Sequence, residues 1–272
     1  MQASSSWTPP RGTLGRILGE TRERVAALQA RKSALESAIR SAPPPPSLAA
    51  ALRGKDVAII AEVKRRSPSR GAINVAIDAA EQGRAYRDGG ARAVSVLTEE
   101  ANFGGTVQDL DAVRAAIALP LLKKDFHVDP LQVLEARALG AAALLLIARA
   151  LSPAALEELA RLALEVGVEP LIEVRDEPEL AAALATAAPV IGVNARNLET
   201  LAVDRRVCEA LIPLVPRDRI AVFESSVRER SDVEEAAVLG ADAVLVGSAV
   251  SQSSSPADAV RRLTGVARRP RG

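Results

Sequence analysis

From residue 57 onward, eight short apolar runs alternate with amphipathic stretches, and this alternation constrains the fold more than any other feature. The runs are VAIIAEV, ARAVSVL, LPLLKKD, AAALLLI, VEPLIEV, APVIGVN, RIAVFES and ADAVLVG. Their apolar residues are contiguous, which predicts strands covered on both faces, as in a parallel sheet. Most are followed by a helical pattern. In SPAALEELARLALEVG (152–167), Ser152 is placed to cap the helix and Pro153 to open its first turn. GGARAVSVL, LGAAALLLI and LGADAVLVG put equivalent glycines at 90, 140 and 240, which accommodates repeating units of about 25 residues. Eight strand–helix units predict an α/β protein, a closed (β/α)8 TIM barrel over residues 47–272. A doubly wound open sheet is the competing arrangement, but its GxGxxG marker after the first strand is absent.

Residues 1–46 read as an N-terminal extension. An amphipathic helix is expected over 13–41, with Leu18, Val25, Leu28, Leu35 and Ile39 as its apolar stripe. The prolines of SAPPPPS end it. The stripe is assigned to packing on the barrel, with a coiled-coil partner helix as the alternative.

Composition narrows the function classes. Hydrophobic residues make up 48% but aromatics only 2%, so the core must be aliphatic. The formal net charge of +1 argues against a dedicated nucleic-acid binder. The basic tail ARRPRG is read as a frayed terminus. One cysteine, Cys208, allows no intramolecular disulfide, and it reads as a small core residue on a helix. With a single histidine, His127, no zinc site built from Cys and His ligands is expected. MQASSSWTPPRG lacks the apolar core of a secretory signal, and no apolar run approaches the roughly 20 residues of a membrane span. The expected setting is cytoplasmic.

In a barrel of this kind, reactive groups gather where strands end. The runs here deliver Glu62 and Lys64, then Lys124 and Asp125, Glu173, Asn194 and Arg196, Glu224 and Ser225, and lastly Gly247 and Ser248. Each has a structural reading as well. Glu62 and Lys64, two apart on one strand face, suit an ion pair. Lys123-Lys124-Asp125 suits a solvated strand end, Asn194 a turn, and Glu224 a helix N-terminus. Glu173 is a poorer helix cap than Asp176, which lies nearer the next helix. Placed together at equivalent positions, these residues point to one shared site. ESSV and VGSAV each run from strand end through small residues into a helix start, an arrangement that binds phosphate through backbone N–H groups. SPSRG after the first strand reads as a mobile loop that adds hydroxyls and a basic group.

The chain resembles the indole-3-glycerol phosphate synthase family from about residue 13 to 265. IIAEVKRRSPSRG, SVLTEEANFGGT, LPLLKKDFHVDP, LLLIARAL, EPLIEV, IGVNARNLETLAVD, FESSV and VLVGSAV occur in the family's order and spacing. The resemblance implies closure of 1-(2-carboxyphenylamino)-1-deoxyribulose 5-phosphate to indole-3-glycerol phosphate, with loss of CO2 and water, in tryptophan biosynthesis. It implies no cofactor or metal, a small sugar-phosphate substrate, and a monomer or weak homodimer. Lys124 matches the general acid on the ketone oxygen, and Glu173 the carboxylate that moves protons during dehydration. Lys64 matches the lysine that holds the substrate carboxylate, and Glu62 its orienting neighbour. Asn194 and Glu224 match polar groups of the catalytic network. Ser67, Ser225, Ser226, Gly247 and Ser248 are implied for phosphate. Phe103, Phe126, Leu145, Leu198 and Leu201 are implied for the aromatic ring, with Arg196 in the same pocket.

The expected acid needs a pKa near working pH, and clustered lysines are expected to lower theirs. His127, where the family has an aliphatic residue, is read as a tolerated variant rather than a base. Ser226 stands where the family has glycine, and a serine there is strained if φ is positive. VNAR replaces a more polar family segment. A non-catalytic or specialised-pathway relative that binds a similar sugar phosphate is the alternative, as is an isomerase or aldolase on the same fold.

Overall fold

The structure, a computed structural model, describes residues 7–271; residues 1–6 of the N-terminal extension lie outside it. Eight parallel strands form the centre: β1 (Ala58–Val63), β2 (Ala93–Leu97), β3 (Leu121–Lys124), β4 (Ala143–Ile147), β5 (Glu169–Val174), β6 (Val190–Asn194), β7 (Ile220–Glu224) and β8 (Ala243–Val246). Each pairs with its sequence neighbours. The first strand closes the ring by pairing Ala58 with Ala243 of β8 while Ile60 pairs with Ala93 of β2. The open sheet is thereby overturned. Every residue of β1, β2, β4, β6, β7 and β8 is buried, as the contiguous apolar runs require.

Three helices precede the barrel: α1 (Gly12–Gln29), α2 (Lys32–Ser41) and α3 (Leu48–Leu52). Eight more follow the strands in turn: α4 (Ala79–Asp88), α5 (Val107–Ala116), α6 (Pro130–Ala138), α7 (Pro153–Glu165), α8 (Glu177–Ala185), α9 (Arg206–Leu211), α10 (Arg230–Val238) and α11 (Pro256–Arg261). Ser152 caps α7 by accepting from the Ala155 N–H, with Pro153 at its first position, as the sequence predicts. The repeating glycines have a structural cause. Gly90, Gly140 and Gly240 each follow a helix with φ of 96°, 74° and 88°. In each case the next residue's N–H returns to a carbonyl five positions back, for instance Ala141 to Ala136. This left-handed stop aims the chain into the next strand at little cost for a residue without Cβ.

Two expectations need correction, for the N-terminal helix and for the C-terminal tail. The helix expected over 13–41 is two helices, broken at Ala30–Arg31. Neither residue is a helix breaker, so the break comes from tertiary packing. α1 buries Leu14, Ile17, Leu18 and Thr21, while α2 packs on α6 through Leu35. Val25, Leu28 and Ile39 of the expected stripe are only half-buried. The SPSRG segment contains a small hairpin, Arg66–Ser67 against Gly71–Ala72, anchored by N–H groups of Ile73 and Asn74 on the Arg65 carbonyl. Two of the C-terminal arginines, Arg268 and Arg271, are docked rather than frayed, while Arg269 is exposed. Arg271 is buried beneath the barrel, donating to Asp242 and to the carbonyls of Gly240, Val215 and Arg219. Among the described residues, no helix is long and apolar enough to cross a membrane.

Candidate active site

The C-terminal ends of the strands open into a cavity of about 510 Å³. All sixteen residues singled out for substrate or chemistry line it, as does Leu201. At its base is a compact charge cluster. Glu62 Oε1 accepts from Lys64 Nζ at 3.0 Å, and its Oε2 lies 3.8 Å from Lys124 Nζ. Lys124 donates to Glu224 Oε2 at 2.7 Å. One carboxylate therefore bridges two ammonium groups, and one ammonium bridges two carboxylates.

Burial tends to lower the Lys124 pKa, but the carboxylates of Glu224, Glu62 and Glu173 outweigh it and hold the group above the ordinary lysine range. This corrects the expectation of a lowered pKa. The lysines do not face one another without compensation, because each has a carboxylate partner. Glu173 shifts the other way. Burial and the neighbouring Glu224 push its carboxyl up to about 8, against the opposing pull of Lys124 and Asn194. At neutral pH Lys124 is charged and Glu173 carries a proton.

Two glycines make room for these carboxylates. A Cβ on Gly247 would lie 2.5 Å from Glu62 Oε1. One on Gly192, inside β6, would overlap Glu224 Oε1. That oxygen is buried and has no hydrogen-bond partner among the described residues. Gly192 was missed at the sequence level, although a glycine within a strand is itself a signal of close approach.

Beyond the cluster the cavity divides by polarity. The Phe103 and Phe126 rings sit 6.1 Å apart at 42°, and Lys64 Nζ lies 5.8 Å from the Phe103 centroid. Leu145, Leu198 and Leu201 continue this apolar wall, and α1 adds Thr13, Leu14 and Ile17. The α1 residues were also missed, since an apolar stripe looks the same whether it faces a core or a cavity. Asn194 Oδ1 accepts from the Arg196 N–H and from the Ser225 hydroxyl, each at 2.8 Å, so Asn194 both braces the turn after β6 and lines the cavity. Arg196 in turn donates to the Leu201 carbonyl. Ser67 of the hairpin, Ser225, Ser226, Gly247 and Ser248 add small and polar groups to the lining. Ser225 and Ser226 both have positive φ, 70° and 60°. Two consecutive left-handed residues are a conformation that side chains with a Cβ adopt only at a cost, so the backbone after β7 is strained where it borders the cavity. The Ser226 hydroxyl is buried without a partner among the described residues.

Lys123 is not a solvated strand end: it is fully buried outside the barrel wall. Its Nζ lies 3.5 Å from Asp125, 3.4 Å from Glu135 and 3.3 Å from His127 Nε2. His127 donates through Nδ1 to the Leu145 carbonyl, and burial beside Lys123 lowers its pKa to about 3. It is neutral and lies behind the cavity wall. Cys208 is buried, with its thiol near the Val193 carbonyl, and burial pushes it up to about 12.

Comparison with known proteins agrees with this geometry. The family profile described as indole-3-glycerol phosphate synthase matches residues 14–263. The indole-3-glycerol phosphate synthase of Mycolicibacterium smegmatis is 48% identical over 92% of this chain and 93% of its own. That of a Nocardioides species is 48% identical over 85% and 89% respectively. Among solved structures, a thiamine phosphate pyrophosphorylase from Pyrococcus furiosus aligns with a TM-score of 0.57 at 16% identity, covering 76% of this chain and 93% of its own, a likeness of fold alone. On the match along nearly its whole length, the chain belongs to the indole-3-glycerol phosphate synthase family.

Proposed function

We propose that the protein closes 1-(2-carboxyphenylamino)-1-deoxyribulose 5-phosphate to indole-3-glycerol phosphate, releasing CO2 and water. The observation that carries this reading is the cluster in which Lys124, held charged by Glu62 and Glu224, shares a cavity with a protonated Glu173. Ring closure needs a ketone carbon made electrophilic. Lys124 supplies a proton to the ketone oxygen as the aromatic carbon attacks and the new C–C bond forms. A pKa above the ordinary range leaves Lys124 fully charged, and an oxygen becoming an alkoxide is basic enough to take its proton.

Loss of CO2 then restores the aromatic ring, and the former ketone oxygen leaves as water. Glu173, whose carboxyl is pushed up to about 8, can give a proton to that hydroxyl at neutral pH. The carboxylate left behind takes a proton from the adjacent ring CH2, whose C–H electrons form the new ring C=C bond as the C–O bond breaks. Lys64, oriented by Glu62, pairs with the substrate carboxylate. Phe103, Phe126 and the leucines enclose its ring, and the strained Ser225–Ser226 turn with Gly247 and Ser248 takes the phosphate. Asn194 and Arg196 hold the polar middle of the substrate. The setting is cytoplasmic, with a monomer or weak homodimer.

The direct test is fluorescence of the indole product from purified protein and the carboxyphenylamino substrate. Turnover is expected, with Lys124→Ala abolishing it while ligand binding stays measurable. A folded wild-type chain that binds but never turns over would instead be the non-catalytic relative.

A further inference from the structure

The acid Lys124 sits at the end of a strand whose outer face carries a second, wholly different charge cluster. Along β3 and the turn after it, Lys124 and Phe126 line the cavity, Lys123 is buried behind its wall, and Asp125, nearly fully buried, borders the cavity between Lys124 and Phe126. Asp125 is the hub. Its Oδ1 accepts from Arg24 Nη2 at 2.9 Å and from the Phe126 N–H at 2.8 Å. Its Oδ2 accepts from the Thr98 hydroxyl at 2.8 Å, and Arg24 Nη1 and Lys123 stand at 3.4 and 3.5 Å. Thr98 also donates its N–H to the Lys124 carbonyl at 3.1 Å. The main chain on both sides of Asp125 is thus tied to its carboxylate or to the residue that binds it.

Arg24 is the one contributor to this hub from outside the barrel. It comes from α1, and its guanidinium forks onto both oxygens of a carboxylate that is only 3% exposed. A forked pair fixes orientation as well as distance. Without Arg24, Asp125 keeps one cation, Lys123, which it shares with Glu135. A buried carboxylate left short of countercharge draws in water or shifts its backbone. Here that backbone belongs to Lys124 and Phe126.

We propose that Arg24 is a positioning residue for the acid. Through its forked pair with Asp125 it fixes the end of β3 that aims Lys124 at the reacting oxygen and Phe126 at the ring. The N-terminal helix thereby contributes to the chemistry as well as to the cavity wall. The proposal rests on the synthase reading above.

The experiment is steady-state kinetics on the full chain, at a temperature well below the melting transition. The variants are Arg24→Met, Arg24→Lys, Asp125→Asn, Arg24→Met with Asp125→Asn, and Arg22→Met as an exposed control on the same helix. Arg24→Met is expected to lower kcat about tenfold, the effect of a sub-ångström misplacement, with KM changed less than twofold. Arg24→Lys restores charge without the fork and should leave kcat about threefold below wild type, between wild type and Arg24→Met. The double variant should lose less than the product of the two single losses, because both break one pair. Arg22→Met should match wild type.

A lowered melting temperature with kcat unchanged in Arg24→Met would make the pair purely structural and overturn the proposal. So would a loss confined to KM. If Arg24→Met cannot be recovered folded, Arg24→Lys decides: a wild-type kcat there overturns the proposal. An inactive wild-type chain sinks the synthase reading and the proposal with it; an active wild type with an unimpaired Arg24→Met sinks the proposal alone.

Discussion

The two ends of the barrel both bury charge, and they do so to opposite effect. At the floor, Asp242 Oδ2 accepts from the Ala221 N–H and Arg271, and its Oδ1 accepts from Arg268. Arg271 spends its remaining donors on four carbonyls, those of Gly240, Val215, Pro216 and Arg219, and the one floor donor left without a partner among the described residues is Arg268 Nε. At the mouth, Glu224 Oε1 and the Ser226 hydroxyl have no partner among the described residues, two serines hold left-handed backbone, and Glu173 keeps a proton. A saturated buried charge stabilises a fold, and an unsaturated one is available to a ligand. The floor is built to stay closed, and the mouth stores unmet hydrogen bonds and strain.

Exchanging one residue at each end should break the comparison most sharply. Lys124→Ala at the mouth should lower kcat by about three orders of magnitude or more, as expected for loss of a general acid, with little change in melting temperature. Asp242→Ala at the floor should do the reverse. Stranding Arg271 and Arg268 should cost about 3–5 kcal/mol, seen in chemical denaturation, while the folded fraction keeps its kcat.

Gly247→Ala should come next. Its Cβ would press on Glu62 Oε1, and displacement of the carboxylate that orients both lysines should lower kcat/KM about a hundredfold. Unchanged kinetics would show that Glu62 has room to move.

Glu173 ties stability to pH at the mouth. Its carboxyl rises from 4.5 to about 8 on folding, so between those values the native state holds a proton that the unfolded chain has lost. Stability should therefore fall as pH rises from 4.5 to about 8, then level off. Glu173→Gln should remove that part of the decline in denaturation curves. The activity of the wild-type chain should also drop as pH rises through about 8, where the proton is lost.

The smallest effect sharpens the strain half of the comparison. Ser226→Gly relieves a left-handed serine and should raise stability by about 1 kcal/mol, or roughly 2–4 °C in melting temperature. If the hydroxyl serves the phosphate, KM should rise about threefold at the same time, the loss of one hydrogen bond.

Much of this was legible from residue order. The eight strands, the capping of α7, and the residues delivered to the mouth follow from local patterns: contiguous apolar runs, Ser-Pro starts, and polar residues at run ends. Strand periodicity also carried the Glu62–Lys64 pairing. Other features were illegible for identifiable reasons. The break at Ala30–Arg31 has no breaker residue. Arg271 reads as one of several tail arginines until Asp242 is seen beneath it. Gly192 and the α1 residues of the cavity wall acquire meaning only from what faces them.

The sequence by itself determined the period of the fold and the chemical inventory of the mouth, since both depend on spacing along one strand or turn. The tertiary structure decided the protonation of that inventory. The pKa values of Lys124 and Glu173 depend on the distances among four strand ends that lie far apart in the chain. It also decided the role of the flanking charges. Lys123 and Lys124 are adjacent and identical, yet the alternation of a strand in a closed barrel sends one into the cavity and the other into the wall behind it.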